Sequence, residues 1–276
     1  MRITIILITL ILNTIYCNSQ VVNGQLTDSE SKEALPYVNI GIVGQNVGTV
    51  SDEKGYFKIE LDSKYDKDTF KISMIGYKSL QFEVGKFKQQ YPDSNPIILE
   101  LSKSTTTLKE IVVRPVTYIT KVSGNTAHSA ALIAGFKSNN LGYELGTVMK
   151  VKKSPAYIEN LNFNIAKNLY DSVTFRVNIY KMKNGMPSES ILTEPIFVTT
   201  AIKTGTLTID VKKYSLQVDG DFLVSLEWIK NLQGNGLYFC AGLFNADSFK
   251  RNTSQGKWEP IEKVGMGFYS TIIYAK

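Results

Sequence analysis

VVNGQLTDSESKEALPYVNIGIVGQNVGTVSDEKGYFKIEL, residues 21–61, alternates apolar and polar side chains at the two-residue period of strands that bury one face. Val38, Ile40 and Ile42 fall on one side of a strand, and Phe57, Ile59 and Leu61 on one side of another. Between them, Asp52-Glu53-Lys54-Gly55 joins a side-chain cap to a glycine able to take positive φ, which is the chemistry of a tight turn. The same period continues through Phe70, Ile72 and Met74, bends at Gly76 and closes with a short strand over residues 97–101. About seven short strands with turn signals between them describe a small antiparallel β-sandwich over residues 20–101.

Four groups of residues in this stretch follow a characteristic order. They are Gly24-x-Leu26-x-Asp28, then Ala34-Leu35-Pro36 ahead of the strand at 37–43, then Gly48-Thr49 ahead of Asp52-x-x-Gly55-x-Phe57, and last Ile75-Gly76-Tyr77. In this order residues 21–101 resemble the carboxypeptidase regulatory-like domain family, and the resemblance implies a transthyretin-like, Ig-like sandwich. Next comes SKSTTT, residues 102–107, a polar linker, and then LKEIVV, residues 108–113, a short strand within a linker segment of residues 102–116. Bacteroidota-type outer-membrane transporters of the TonB-dependent class place a similar domain and a similar LKEIVV-like segment ahead of a plug and barrel. The residues that remain here are too few for such a barrel, so the resemblance implies envelope association and not a transporter.

Residues 117–276 carry no motif of that specificity. Strand patterns fall at 147–151, 158–166, 172–181, 195–201, 206–211, 221–229, 237–243 and 268–274, after an irregular stretch at 124–146. Eight strands suit a second, jelly-roll-like β-sandwich. Val173, Phe175, Val177 and Ile179 share one face of their strand, as do Phe222, Val224, Leu226 and Trp228 of theirs, so both strands can seal a core. Helical periodicity is nearly absent, and the fold class expected is all-β.

The first residues differ from the rest. Met1-Arg2 is a short positive start, residues 3–15 are mostly apolar, and Cys17-Asn18-Ser19 offers small side chains for cleavage, so residues 1–19 read as a signal peptide. The apolar run is shorter than the ~20 residues of a membrane span. A lipoprotein reading would acylate Cys17, but Tyr16 before it fits poorly. Without the leader only Cys240 remains, which excludes an internal disulfide. Cys240 lies in a strand-like run, where it reads as a small buried hydrophobe. The formal charge is +6, but only Arg2, Arg114, Arg176 and Arg251 are arginines and the lysines are scattered, so no phosphate-tracking stripe exists and nucleic acid is not expected as a partner.

Chemistry is sparse. Zinc carboxypeptidases need two histidines and a glutamate on the metal, and His128 is the sole histidine, so the resemblance is to their accessory domain. His128-Ser129 lies in a small-residue loop without a nucleophile elbow. Gly41, Gly44 and Gly48 have the wrong spacing for a phosphate loop, and Gly265-Met266-Gly267 lacks a third glycine. Asp219-Gly220-Asp221 reads as a type I′ hairpin turn in preference to a calcium ligand pair. No cofactor or metal is expected. The candidate ligand-binding residues are Trp258, in a polar loop, and Arg176 and Glu227, which point away from the apolar faces of their strands; the simpler reading of the two charges is a solvated outer face. The expectation is a non-catalytic, exported accessory subunit of an outer-membrane transport or assembly complex, with a glycan-binding module as the alternative. A secreted hydrolase stands third, since it would need a placed pair of carboxylates.

Overall fold

The computed structural model describes residues 19–92, 96–104, 117–136, 140–232, 236–244 and 246–276. The leader and the strand expected at 108–113 lie outside the described residues.

The N-terminal unit contains β1 (Ser19–Asp28), β2 (Asn39–Ile42), β3 (Gly48–Val50), β4 (Tyr56–Asp62), β5 (Thr69–Ser73), β6 (Leu80–Glu83) and β7 (Ile97–Leu101). They form two sheets, β4-β1-β7 and β3-β2-β5-β6, in the expected small sandwich of seven strands, but it is not wholly antiparallel as expected, because β7 runs parallel to β1. The alternating residues meet between the sheets: Leu26, Val38, Ile40, Ile42, Phe70 and Ile72 have no exposed surface. Asp52 caps its turn by accepting N–H bonds from Lys54 and Tyr56, both at 2.8 Å, and Gly55 takes φ +78 with the carbonyl of Leu26 only 2.5 Å from where a Cβ would stand. One element was not anticipated. Helix α1 (Val84–Gln90) is too short for periodicity to announce it, yet it drives Val84 and Phe87 into the core, and the Phe87 ring lies 4.7 Å from that of Phe70.

The first and last motifs of the resemblance meet in space. Asp28 accepts N–H bonds from Glu30 and Ser31 on one oxygen, and the Tyr77 hydroxyl donates to the other at 2.9 Å. The backbone N–H groups of Ser31 and Glu30 hold the Asp28 carboxyl down to about 2, with Tyr77 and Lys103 assisting against the effect of burial. Burial, then the bond to Asp28, pushes the Tyr77 hydroxyl up to about 12. The latch ties the end of β1 to the turn after β5.

The C-terminal unit contains β8 (Tyr118–Gly124), β9 (Ile133–Gly135), β10 (Glu144–Met149), β11 (Ala156–Asn168), β12 (Val173–Lys183), β13 (Met186–Ser190), β14 (Ile196–Thr200), β15 (Gly205–Asp210), β16 (Gln217–Val218), β17 (Phe222–Trp228), β18 (Leu237–Leu243), β19 (Ser248–Arg251), β20 (Glu259–Ile261), β21 (Val264–Met266) and β22 (Phe268–Ala275). All eight patterns read from sequence are strands. The additional ones are short or rich in Ser, Gly and charge, so their period is invisible. One sheet runs β13-β12-β17-β10-β19-β20 with β14 also on β12; the other runs β21-β18-β11-β22-β8 with β15 and β16 on β11 and β9 on β18. Phe163, Phe175, Phe222, Leu226, Phe239 and Phe268 fill the space between them. The chain is therefore all-β, two sandwiches with separate cores.

One turn reading is corrected. Asp219-Gly220-Asp221 does not close a hairpin: β16 belongs to one sheet and β17 to the other, so the bend is a crossover between layers. Asp221 accepts the Val151 N–H at 2.8 Å and pairs with Lys150 at 3.2 Å.

The Asp28–Tyr77 latch predicts a two-sided pH profile. Because the Asp28 pKa is depressed, its stabilisation is present above the ordinary 3.8 and is lost as pH falls through about 2. The raised Tyr77 pKa gives stabilisation that is present below 10 and lost as pH rises through about 12. Urea unfolding across pH should show the acid loss reduced in Asp28→Asn and the alkaline loss reduced in Tyr77→Phe.

Candidate functional site

Strands β10 and β17 break the alternation rule, since every residue of ELGTVM and FLVSLEW is buried. Both faces of the sheet are covered there: the face away from the core carries Glu144, Glu227 and Ser225 and, further along, a small apolar cluster of Val148, Leu223, Tyr180 and Phe249. The register pairs Arg176 with Glu227, Glu227 with Glu144, and Glu144 with Arg251. Directly opposed residues share a face, so four adjacent strands present one row that reads Arg, Glu, Glu, Arg. Their exposures are 2%, 0%, 0% and 8%.

Like charges opposed across a strand pair destabilise a sheet, and here the flanking guanidinium groups compensate. Arg176 Nη2 lies 2.8 Å from Glu227 Oε2, and Arg251 Nε donates to Glu144 Oε2 at 2.6 Å. Asn178, one row below, donates to both carboxylates, at 2.9 Å to Glu144 and 2.8 Å to Glu227. Tyr180 accepts from Arg251 Nη2 at 3.0 Å. Burial pushes the Glu144 carboxyl above the usual range; Arg251 opposes this and Glu227 adds to it. Burial also raises the Tyr180 hydroxyl well above its ordinary value. For Arg251 burial disfavours the charge, but Glu144, Tyr180 and Glu227 outweigh it and raise the pKa.

The N-terminal domain covers this row. Arg176 Nη1 donates to the carbonyl of Tyr37 at 2.6 Å, and its Nη2 donates to the side-chain oxygen of Asn39. Ser254 Oγ reaches the same Asn39 oxygen at 3.1 Å, Gln255 Nε2 donates to Ser73 Oγ at 2.8 Å, and the Gly44 N–H donates to the Gln255 carbonyl at 2.9 Å. Tyr37 packs its ring on Phe197 at 5.2 Å, and Ile75 leans on the larger core. A Cβ on Gly41 or Gly48 would fall 2.5 Å or 2.2 Å from the Ser254 carbonyl oxygen. These glycines permit backbone-to-backbone approach of the two domains.

The candidates read from sequence meet here, though not as expected. Arg176 and Glu227 are not solvated charges; the N-terminal domain seals them in. Trp258 is half-buried and lies over the Arg251 guanidinium at 4.9 Å from the ring centroid, with Tyr180 edge-on at 5.5 Å, so one face of the indole is occupied. The connecting residues Glu144, Arg251, Asn178 and Tyr180 escaped the sequence reading. A signal for Arg251 existed: arginine is scarce in this chain, and a bidentate, buried pair selects arginine over lysine. His128 is exposed in its loop, and Cys240 is buried with its thiol pushed up by burial. Beside the row, a cleft of about 400 Å³ opens between the domains, with Lys71 on one wall and Asn178 and Arg251 on the other.

Residues 22–113 match the family model of the CarboxypepD_reg-like domain. The N-terminal domain is a CarboxypepD_reg-like domain. No curated protein matches the chain in sequence. Among solved structures, the chain overlaps a clostridial cysteine protease, Cwp84, after propeptide cleavage, at 10% identity and a TM-score of 0.41, over 96% of this chain and 73% of that one. It also overlaps the cysteine protease and lectin-like domains of Cwp84, a surface layer associated protein of Clostridium difficile, at 10% identity and a TM-score of 0.38, over 96% and 65% of the two chains.

The CarboxypepD_reg-like domain thus uses the β2–β3 hairpin to cap a charged row on its neighbour. Arg176→Met leaves Glu227 buried without its guanidinium and is expected to cost about 3–5 kcal/mol in urea unfolding. Gly48→Ala forces a Cβ against the Ser254 carbonyl; a loss of about 1–3 kcal/mol is expected, with faster proteolytic cleavage between the domains.

Proposed function

We propose that this chain is an exported, non-catalytic accessory subunit that binds within a transport or assembly complex at the outer membrane of a Gram-negative cell. The observation that carries the reading is the buried row of Arg176, Glu227, Glu144 and Arg251. Its carboxylates are held by guanidinium and amide donors and sealed beneath the CarboxypepD_reg-like domain, which makes the two sandwiches one block. In this reading the pair of glutamates serves docking. The leader read at residues 1–19 and the resemblance to domains that precede outer-membrane barrels support export and envelope association.

No helix among the described residues is long and apolar enough to cross a membrane. Attachment in this reading comes from a partner. Strand β8 pairs only with β22 among the described residues and exposes Tyr118 and Val122, and in this reading its outer edge accepts a partner strand. The test is affinity purification of the tagged protein from gently solubilised envelopes. Stoichiometric recovery of outer-membrane proteins is expected. Recovery of the chain alone in the soluble fraction would overturn the reading.

A further inference from the structure

The cleft between the domains holds polar groups that docking leaves without partners. Lys71 alternates with the buried Phe70 and Ile72 of β5, so it stands on the face turned toward the C-terminal sheet. Its ammonium has no ion-pair or hydrogen-bond partner among the described residues, and it lines the cleft. On the opposite wall Arg251 uses Nε and Nη2 for Glu144 and Tyr180, which leaves Nη1 without a partner on a residue that is 8% exposed. Two amide oxygens are also left over. Asn178 makes both of its contacts to the glutamates through Nδ2, and Gln255 makes its contact to Ser73 through Nε2, so Asn178 Oδ1 and Gln255 Oε1 remain as acceptors.

Two cationic donors and two neutral acceptors line about 400 Å³ together with one carboxylate, Glu189, which is exposed and lies 3.8 Å from Lys181; the volume is within the usual range for a small-molecule site. A simple anion would answer the donors and leave both amide oxygens unpaired. A neutral sugar would answer the amides but leave the Lys71 ammonium without a counter-charge and Arg251 Nη1 without an acceptor, Arg251 itself being paired with Glu144. A sugar that carries a carboxylate answers both sets, with Met74 and Ile75 as an apolar wall for its ring. We propose that this cleft binds an acidic saccharide of the uronic-acid type. Its carboxylate is held by Arg251 and Lys71 in charge-assisted hydrogen bonds, and its hydroxyls donate to Asn178 and Gln255. The proposal stands apart from the envelope complex, since the cleft needs only the docked pair of domains.

The test is isothermal titration of the two-domain protein with trigalacturonic acid, with neutral galactotriose and with sodium sulfate. Binding of the uronate is expected, with little heat from the other two at concentrations up to about 10 mM. Lys71→Ala removes an unpaired side chain, so its melting temperature should match wild type while uronate affinity falls at least about tenfold. Any of four results would overturn the proposal: no uronate binding by wild type, equal affinity for galactotriose, equal affinity for sulfate, or unchanged uronate affinity in Lys71→Ala.

Discussion

Four charges buried in one row across β12, β17, β10 and β19 set the terms for the rest of the molecule. A carboxylate with no exposed surface is strongly disfavoured unless opposite charge and hydrogen bonds surround it. Two such carboxylates side by side are worse, and the order Arg, Glu, Glu, Arg is the arrangement that gives each its own guanidinium with the like pair at the centre. Asn178 then bridges the centre with two donated bonds. The row is satisfied only in part by its own sheet: Arg176 completes its hydrogen bonds on Tyr37 and Asn39 of the other domain. Docking of the CarboxypepD_reg-like domain is therefore a requirement of the charge row.

The contact is polar for a reason that follows from the two cores. Each sandwich buries its own apolar set, and little hydrophobic surface remains to drive association. Orientation comes from directional bonds and from the close fit of the β2–β3 hairpin on residues 252–256. Gly41 and Gly48, which have no place in a phosphate loop, are small because the Ser254 carbonyl lies against them. The same geometry leaves a cleft at the margin of the row, where Lys71 and Arg251 keep unused donors.

Much of the architecture was legible in the chain. Alternation located the strands around 38–42, 57–61 and 70–74 of the first domain and eight of the second, because most of them turn one face to a core and one away from it. Asp52 and Gly55 announced their turn through side-chain capping and positive φ. The elements that stayed hidden had no such asymmetry. Helix α1 is about two turns held by Val84 and Phe87, and β19 is four residues with lysine and arginine in them, made a strand by β10 and β20 on either side. The bend at 219–221 carried a hairpin signal that local chemistry supports, yet the flanking strands pair in different sheets.

Arg176, Glu227 and Trp258 were separable from the core as soon as their strands and loops were assigned, since each departs from the apolar face. Their residue types established that they point outward from that core; whether outward means water is a non-local question. It is answered by cross-strand register and by a second domain more than a hundred residues away in the chain, which turned an outer face into an interior one and placed Glu144 and Arg251 beside them. Local alternation decides which side of a strand a residue takes, because that is a property of the backbone period. What covers that side is decided by packing between distant segments, and only the tertiary structure contains it.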